Sequence, residues 1–161
     1  MIHASNYDSP LGKLLLASDD EGLSGLWFYG QKYFPEDSAS GRTSAHHALD
    51  SAKRWLDVYF AGSVPDFTPT LSLKGTAFQL RVWRNLQLIP YGHTTTYGAI
   101  AKELSCRAAQ AIGQAVGRNP ISVIIPCHRV LGADGKLTGY SAGIDKKAFL
   151  LRLEGTKIPP C

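Results

Sequence analysis

The chain has 161 residues, 44% hydrophobic and 19% charged, which is enough for one large domain or two small ones and too apolar for wholesale disorder. No apolar run approaches the roughly 20 residues of a membrane helix, and the N-terminus lacks a basic stretch followed by an apolar one, so no membrane span or secretory signal is read and the expected compartment is the cytoplasm, or the nucleus in a eukaryote. The net charge of +4 hides an asymmetry: residues 1–72 hold 5 Lys/Arg against 9 Asp/Glu, and residues 73–161 hold 12 against 4, so the second part either meets a polyanion such as nucleic acid or carries a solvated basic surface.

The first 30 residues read as β. Runs at Ile2–Tyr7, Lys13–Ala17 and Leu23–Tyr29 are separated by clusters of Asp, Ser, Pro and Gly, the punctuation of an antiparallel meander. A polar loop follows over residues 30–42. Ala45, Leu49, Ala52, Leu56 and Tyr59 recur at helical spacing, which predicts a helix over Thr43–Ala61 with Gly62 as its stop. Val64–Pro69 is a connector and Thr70–Leu73 a short extended piece. Thr76 and Gln79 can form a capping box that opens a helix ending at Pro90. Thr96 can cap a short helix from Tyr97 to Leu104, and Ser105 a second from Cys106 to about Gly117. Two short helices joined by a tight turn resemble a helix-turn-helix. Ile121–Ile125 reads as extended and buried, Gly132–Gly143 as a loop, and Asp145–Leu153 as a last helix with Ala148, Leu150 and Leu151 inward. The expected fold class is therefore α+β. Residues 1–72 form a small α/β domain with an antiparallel sheet, and residues 73–161 a mostly helical domain.

Three cysteines, Cys106, Cys127 and Cys161, fall at no paired spacing and read as reduced thiols. Cys127 stands out, because Pro126-Cys127-His128-Arg129 follows an apolar run. Neighbouring cationic or basic groups favour the reactive thiolate. Neighbours on an extended strand point to opposite faces, so Cys127 and His128 can cooperate only if the chain turns there or a water bridges them. Metal binding is a weak option: no CxxC exists.

The stretch from Arg118 through Val130, centred on Pro126-Cys127-His128-Arg129, resembles the signature of the O6-alkylguanine-DNA alkyltransferases. Ile89-Pro90-Tyr91-Gly92, Thr96-Tyr97, Ala115-Val116-Gly117, Thr138 through Gly143, Lys147, and Leu150-Leu151 through Glu154-Gly155 keep the family's order and approximate spacing. The likeness is dense over about residues 75–155 and loose before them.

The resemblance implies a single-turnover DNA repair enzyme that moves an alkyl group from O6 of guanine, and from O4 of thymine, to Cys127 without a soluble cofactor. It implies His128 as the base acting through a water and Glu154 as its orienting carboxylate. Tyr97 would donate to the departing guanine ring, the hydroxyl or amide of Ser141 would meet O6, and Asn119 would brace the turn holding the cysteine. Tyr140 and Val130 would line the base pocket. Read bare, Glu154 is a helix-end carboxylate, Tyr97 and Tyr140 are packing residues, and Ser141 and Asn119 are turn formers.

The expected partner is double-stranded DNA read in the minor groove with the damaged base flipped out. Ala109, Gly113 and the other small residues of the second helix would make it thin enough to enter the groove, or serve helix packing. Arg107 and Arg118 would meet phosphates. The family usually has an arginine at the position of Gln110, to fill the place of the flipped base; glutamine is shorter and uncharged. Some relatives carry an N-terminal zinc, but residues 1–72 contain no cysteine and only His3, His46 and His47, so no metal is expected. A monomer is expected. A DNA-binding lesion sensor without chemistry and a cysteine hydrolase using Cys127, His128 and Glu154 remain as alternatives.

Overall fold

The computed structural model describes residues 2–35 and 46–157. The chain forms two compact units, residues 1–74 with 120–124, and residues 75–119 with 125–161. Residues 120–124 thus leave the second part of the sequence to join the first unit.

In the first unit, β1 (His3–Ser9), β2 (Gly12–Ser18) and β3 (Leu23–Phe28) form an antiparallel meander in that order. The central strand is buried from Leu14 through Ser18 without alternation, because both of its faces are covered. Helix α1 (His47–Phe60) packs Ala48, Leu49, Ala52, Leu56 and Tyr59 inward. Thr43–Ala45, where the helix was expected to begin, lie outside the described residues, as do most of the 30–42 loop and Cys161. The free edge of β3 is closed by two short parallel bridges, Leu23 with Leu71 and Leu26 with Ile121. Edge strands left open invite foreign pairing, so this closure protects the sheet. His3 and His46 stack with ring centroids 4.6 Å apart, and Ser18 Oγ lies 3.0 Å from His46 Nδ1.

In the second unit, α2 (Ala77–Leu86) opens on the expected capping box: Thr76 Oγ1 accepts from Gln79 N at 3.1 Å and Gln79 Oε1 from Thr76 N at 3.1 Å. Strand β4 (Thr95–Thr96) leads into α3 (Tyr97–Glu103), capped by Thr96 Oγ1 on Ala99 N. Helix α4 (Ala109–Gly117) starts three residues later than its sequence suggested. Ser105 does not cap it; Ser105 adopts φ +52 in the turn, and α4 begins after Ala108 with no side-chain cap. Trp83 Nε1 donates to Ala115 O at 2.8 Å and ties α2 to α4. β5 (Val130–Leu131) pairs in parallel with β4, Thr95 opposite Val130. Helix α5 (Ile144–Leu153) closes the unit on Ala148, Leu150 and Leu151.

Candidate active site

The run Ile121–Ile125 is not a strand. After the single bridge at Ile121 the chain folds into two consecutive three-residue turns. Ile124 N donates to Ser122 O at 2.7 Å around Val123, whose φ is +68. Cys127 N donates to Ile125 O at 2.8 Å around Pro126, whose φ and ψ are −81 and 65. The second is an inverse γ-turn, a low-energy shape to which the proline ring is already fitted; the first is its strained counterpart. A β-branched residue at positive φ costs on the order of 1–3 kcal/mol and persists only where its surroundings impose it. Asn119 supplies part of that constraint, since its Nδ2 donates to Ile125 O at 2.8 Å. Cys127–Arg129 then forms one 3-10 turn. Cys127 and His128 therefore sit on a tight turn and not on opposite faces of a strand.

Cys127 is 7% exposed and His128 fully buried. Burial pushes the Cys127 thiol up from its ordinary range, while a hydrogen bond from Asn119, the nearby Lys147 charge and a hydrogen bond with Tyr140 pull it down. Burial prevails, so the resting group is the thiol and a base is needed. His128 Nε2 lies 2.6 Å from Glu154 Oε2. A carboxylate only accepts, so Nε2 carries a proton; in the neutral ring Nδ1 then keeps its lone pair. Nδ1 is buried and has no hydrogen-bond partner among the described residues. Burial also lowers the basicity of His128, against the opposing pull of Glu154.

Glu154 is the hub of this network. Besides His128 it accepts from Arg129 Nε at 2.7 Å, from Arg129 Nη2 at 3.1 Å and from Gly92 N at 3.4 Å. Burial alone would raise its carboxyl, but the hydrogen bonds and charges of His128 and Arg129 outweigh that and hold it at about 2. Gly92 has φ +78, and a Cβ there would come within 3.3 Å of Glu154 O, so the Tyr91-Gly92 turn requires glycine.

Other expected residues gather around the thiol. Burial, and after it the nearby Cys127, raises the Tyr140 hydroxyl far above the ordinary range. Tyr97, at the first turn of α3, is raised from its ordinary range chiefly by burial, with Thr138 pulling it down and Cys127 pushing it up. Val130 is buried directly after the 3-10 turn. The Ser141 hydroxyl donates to Gly117 O at 2.9 Å, which leaves its amide free of that bond. Arg107, Ala109, Gln110 and Arg118 are exposed along α4 and at its ends, with Gly113 half-buried.

Two residues carry more than their sequence positions suggested. Lys147 is fully buried and donates to Thr138 O at 2.9 Å and Gly139 O at 3.3 Å. Burial lowers it to about 8, against the pull of Cys127. The signal was available: Lys147, Leu150, Leu151 and Glu154 recur at i, i+3, i+4 and i+7, one face of α5 and the turn after it. Arg129, seen before only as part of a signature, holds Glu154 in a fork and spends Nη1 on Ile89 O at 2.7 Å.

Two family models match the chain. The one described as 6-O-methylguanine DNA methyltransferase, DNA binding domain, covers residues 77–156; the one described as its ribonuclease-like domain covers residues 2–73. The methylated-DNA–protein-cysteine methyltransferase of Mycolicibacterium paratuberculosis is 48% identical over 160 residues, 99% of this chain and 96% of that protein. The protein of that name from Methanosarcina acetivorans is 48% identical over 151 residues, 93% and 96% of the two. The crystal structure of Mycobacterium tuberculosis O6-methylguanine methyltransferase aligns with TM-score 0.85 at 45% identity, over 100% of this chain and 97% of that one. A structure of the M. tuberculosis protein in complex with DNA aligns equally well at 44% identity, over 98% and 95%. The chain belongs to the 6-O-methylguanine DNA methyltransferase family.

Proposed function

We infer that the protein repairs DNA by moving an alkyl group from O6 of guanine onto Cys127 in one irreversible step. The observation that carries this reading is a buried thiol on a tight turn beside an imidazole whose Nε2 is tied to an ionised carboxylate. Nδ1 of His128 takes the thiol proton through a bridging water. The sulfur then attacks the alkyl carbon from the side opposite O6. The carbon–oxygen bond breaks, its electron pair stays with guanine, and a proton reaches the ring from Tyr97. Ser141 has committed its hydroxyl to Gly117, so contact with O6 falls to its amide. The thioether product is a poor leaving group, and each chain acts once, as a monomer and without a soluble cofactor. O4-alkylthymine presents the same alkoxy carbon and is proposed as a second substrate.

DNA is the partner, bound through the minor groove with the base flipped into the site. The outer face of α4 supports this. Ala109, Gln110 and Gln114 are exposed there, and a Cβ added at Gly113 would meet nothing within 4 Å. Packing within the chain does not need that glycine, although it costs the helix about 0.5–1 kcal/mol. Arg107 and Arg118 would hold phosphates, and Gln110 would occupy the space of the flipped base. No described helix is long and apolar enough to cross a membrane; the proposed place of action is wherever the DNA lies.

Weighing the intact protein after incubation with an oligonucleotide containing O6-methylguanine tests the reading. One methyl per chain is expected, located on Cys127 and absent from Cys127→Ser. A methylated Cys127→Ser, or repeated turnover, overturns it. Gln110→Arg is expected to speed transfer from duplex but not from the free base; equal duplex rates would remove the role given to Gln110.

A further inference from the structure

An imidazole tied to a buried carboxylate has two resting states. In one it is neutral and its free nitrogen is a base. In the other it has already taken a proton, the pair is an imidazolium and a carboxylate, and its outer nitrogen has no lone pair to offer. A carboxylate with no other partner in a low-dielectric site strongly favours the second state. The transfer proposed above needs the first.

The geometry around Glu154 bears on this choice. Arg129 approaches with Nε on Oε1 and Nη2 on Oε2, and Oε2 is the same oxygen that faces His128 Nε2. The guanidinium cannot swing away. Nη1 is anchored on Ile89 O at 2.7 Å, and the Tyr91 ring lies against it, 5.7 Å from the ring centroid to Cζ. The charged groups that act on His128 are Glu154, Arg129 and Lys147; the titratable Cys127 adjoins it in the 3-10 turn, and Tyr91 borders Arg129 and Glu154. Two fixed cations thus stand against one carboxylate in a cluster where His128 is fully buried. A proton on His128 would add a third positive charge.

We propose that Arg129 is a positioning residue that shares the charge of Glu154 and so keeps His128 neutral, with Nδ1 unprotonated and ready for the Cys127 proton. Glu154 by itself would orient the ring and also saturate it. Arg129 retains the first effect and cancels the second. Burial and the positive charge of Arg129 both act against protonation of His128. The proposal rests on the alkyl-transfer reading, and its test is arranged to fail separately.

The test is the pH dependence of single-turnover methyl transfer from the oligonucleotide for the wild type, Arg129→Met and Arg129→Met/Glu154→Gln. Loss of one charge at this range moves a neighbour by about one pH unit or more. The acid limb of the Arg129→Met profile is therefore expected at least about one unit above that of the wild type, with the rate recovering at high pH. Adding Glu154→Gln removes the charge that captures the proton, and the limb should move back. A purely structural role for Arg129 would scale the Arg129→Met rate down at every pH and leave the limb in place; that outcome overturns the proposal. Titration of the His128 ring by nitrogen-15 NMR in the wild type needs no variant to fold. A neutral ring with its proton on Nε2 at pH 7 is expected, and an imidazolium there overturns the proposal. Failure of the wild type to acquire a methyl at any pH would sink the transfer reading instead, while the NMR titration would still decide the state of His128.

Discussion

The two units bury polar side chains of different kinds. In the first unit the described buried polar residues are Ser5, Ser18, Gln31, Ser72 and Ser122, all uncharged. In the second they are Asn119, His128, Arg129, Lys147 and Glu154, and four of these five ionise. The serines and the glutamine each take part in a hydrogen bond: Ser72 Oγ donates to Asp19 at 2.7 Å and Gln31 Oε1 accepts from Phe28 N at 2.8 Å. Such bonds return about what desolvation costs. Burying an ionised group costs several kcal/mol even when it is paired. A fold that needed only stability would follow the first unit. The second accepts the larger cost in one place, around one thiol, and perturbed ionisable groups gathered in this way mark a working site.

Glu154→Gln should give the largest departure between the units. It leaves Arg129 buried without its carboxylate, a loss of about 3–5 kcal/mol in equilibrium unfolding, and it should slow methyl transfer by roughly 10²–10⁴. A rate within the noise of the wild type would remove Glu154 from the relay. The pH dependence has a definite sign. The folded carboxyl sits at about 2 against an ordinary 4.5, so its contribution to stability is complete above 4.5 and is lost as pH falls from there toward 2. Glu154→Gln should flatten the stability curve in that window.

Lys147→Met should separate stability from function. The folded ammonium sits at about 8 against an ordinary 10.5. A depressed lysine costs stability at neutral and lower pH, and the cost fades only as pH rises through this range. The cost at pH 7 is offset in part by two hydrogen bonds to the Thr138 and Gly139 carbonyls. A net gain of about 1 kcal/mol in urea unfolding at pH 7 is expected. Methyl transfer should fall by about tenfold or more, because the thiolate loses a neighbouring cation. A variant that is both less stable and fully active would invert the comparison. The smallest effect belongs to the first unit. Ser18→Ala removes the bond to His46 and should cost about 1 kcal/mol, with the transfer rate unchanged.

Much of this was readable from residues. The three strands, α1, the capping box on α2 and the cap of α3 follow from spacing and turn chemistry, and the tetrad at 126–129 pointed to the thiol. The misreadings share a cause. Ile121–Ile125 has the composition of a buried strand, and burial is what it has; its turns are held in part by Asn119, a partner outside the run. Ser105 looked like a cap because serine is one, yet the chain uses it for a left-handed turn. Lys147 enters the sequence reading only as a matching position, because lysine is taken as solvent-facing, although its spacing with Leu150, Leu151 and Glu154 places it on the inner stripe. The fork of Arg129 on Glu154 joins residues 25 apart, a distance at which local pattern carries no information.

The hydrogen bond from Asn119 to Ile125 closes a short ring that contains both the strained turn at Val123 and the lead-in to Pro126. Such a ring behaves like a ruler. Exchange of side chains within it leaves its span intact, whereas one inserted or deleted residue would change the phase of every carbonyl after it and aim the sulfur elsewhere. Length, more than composition, is what this seven-residue span must keep.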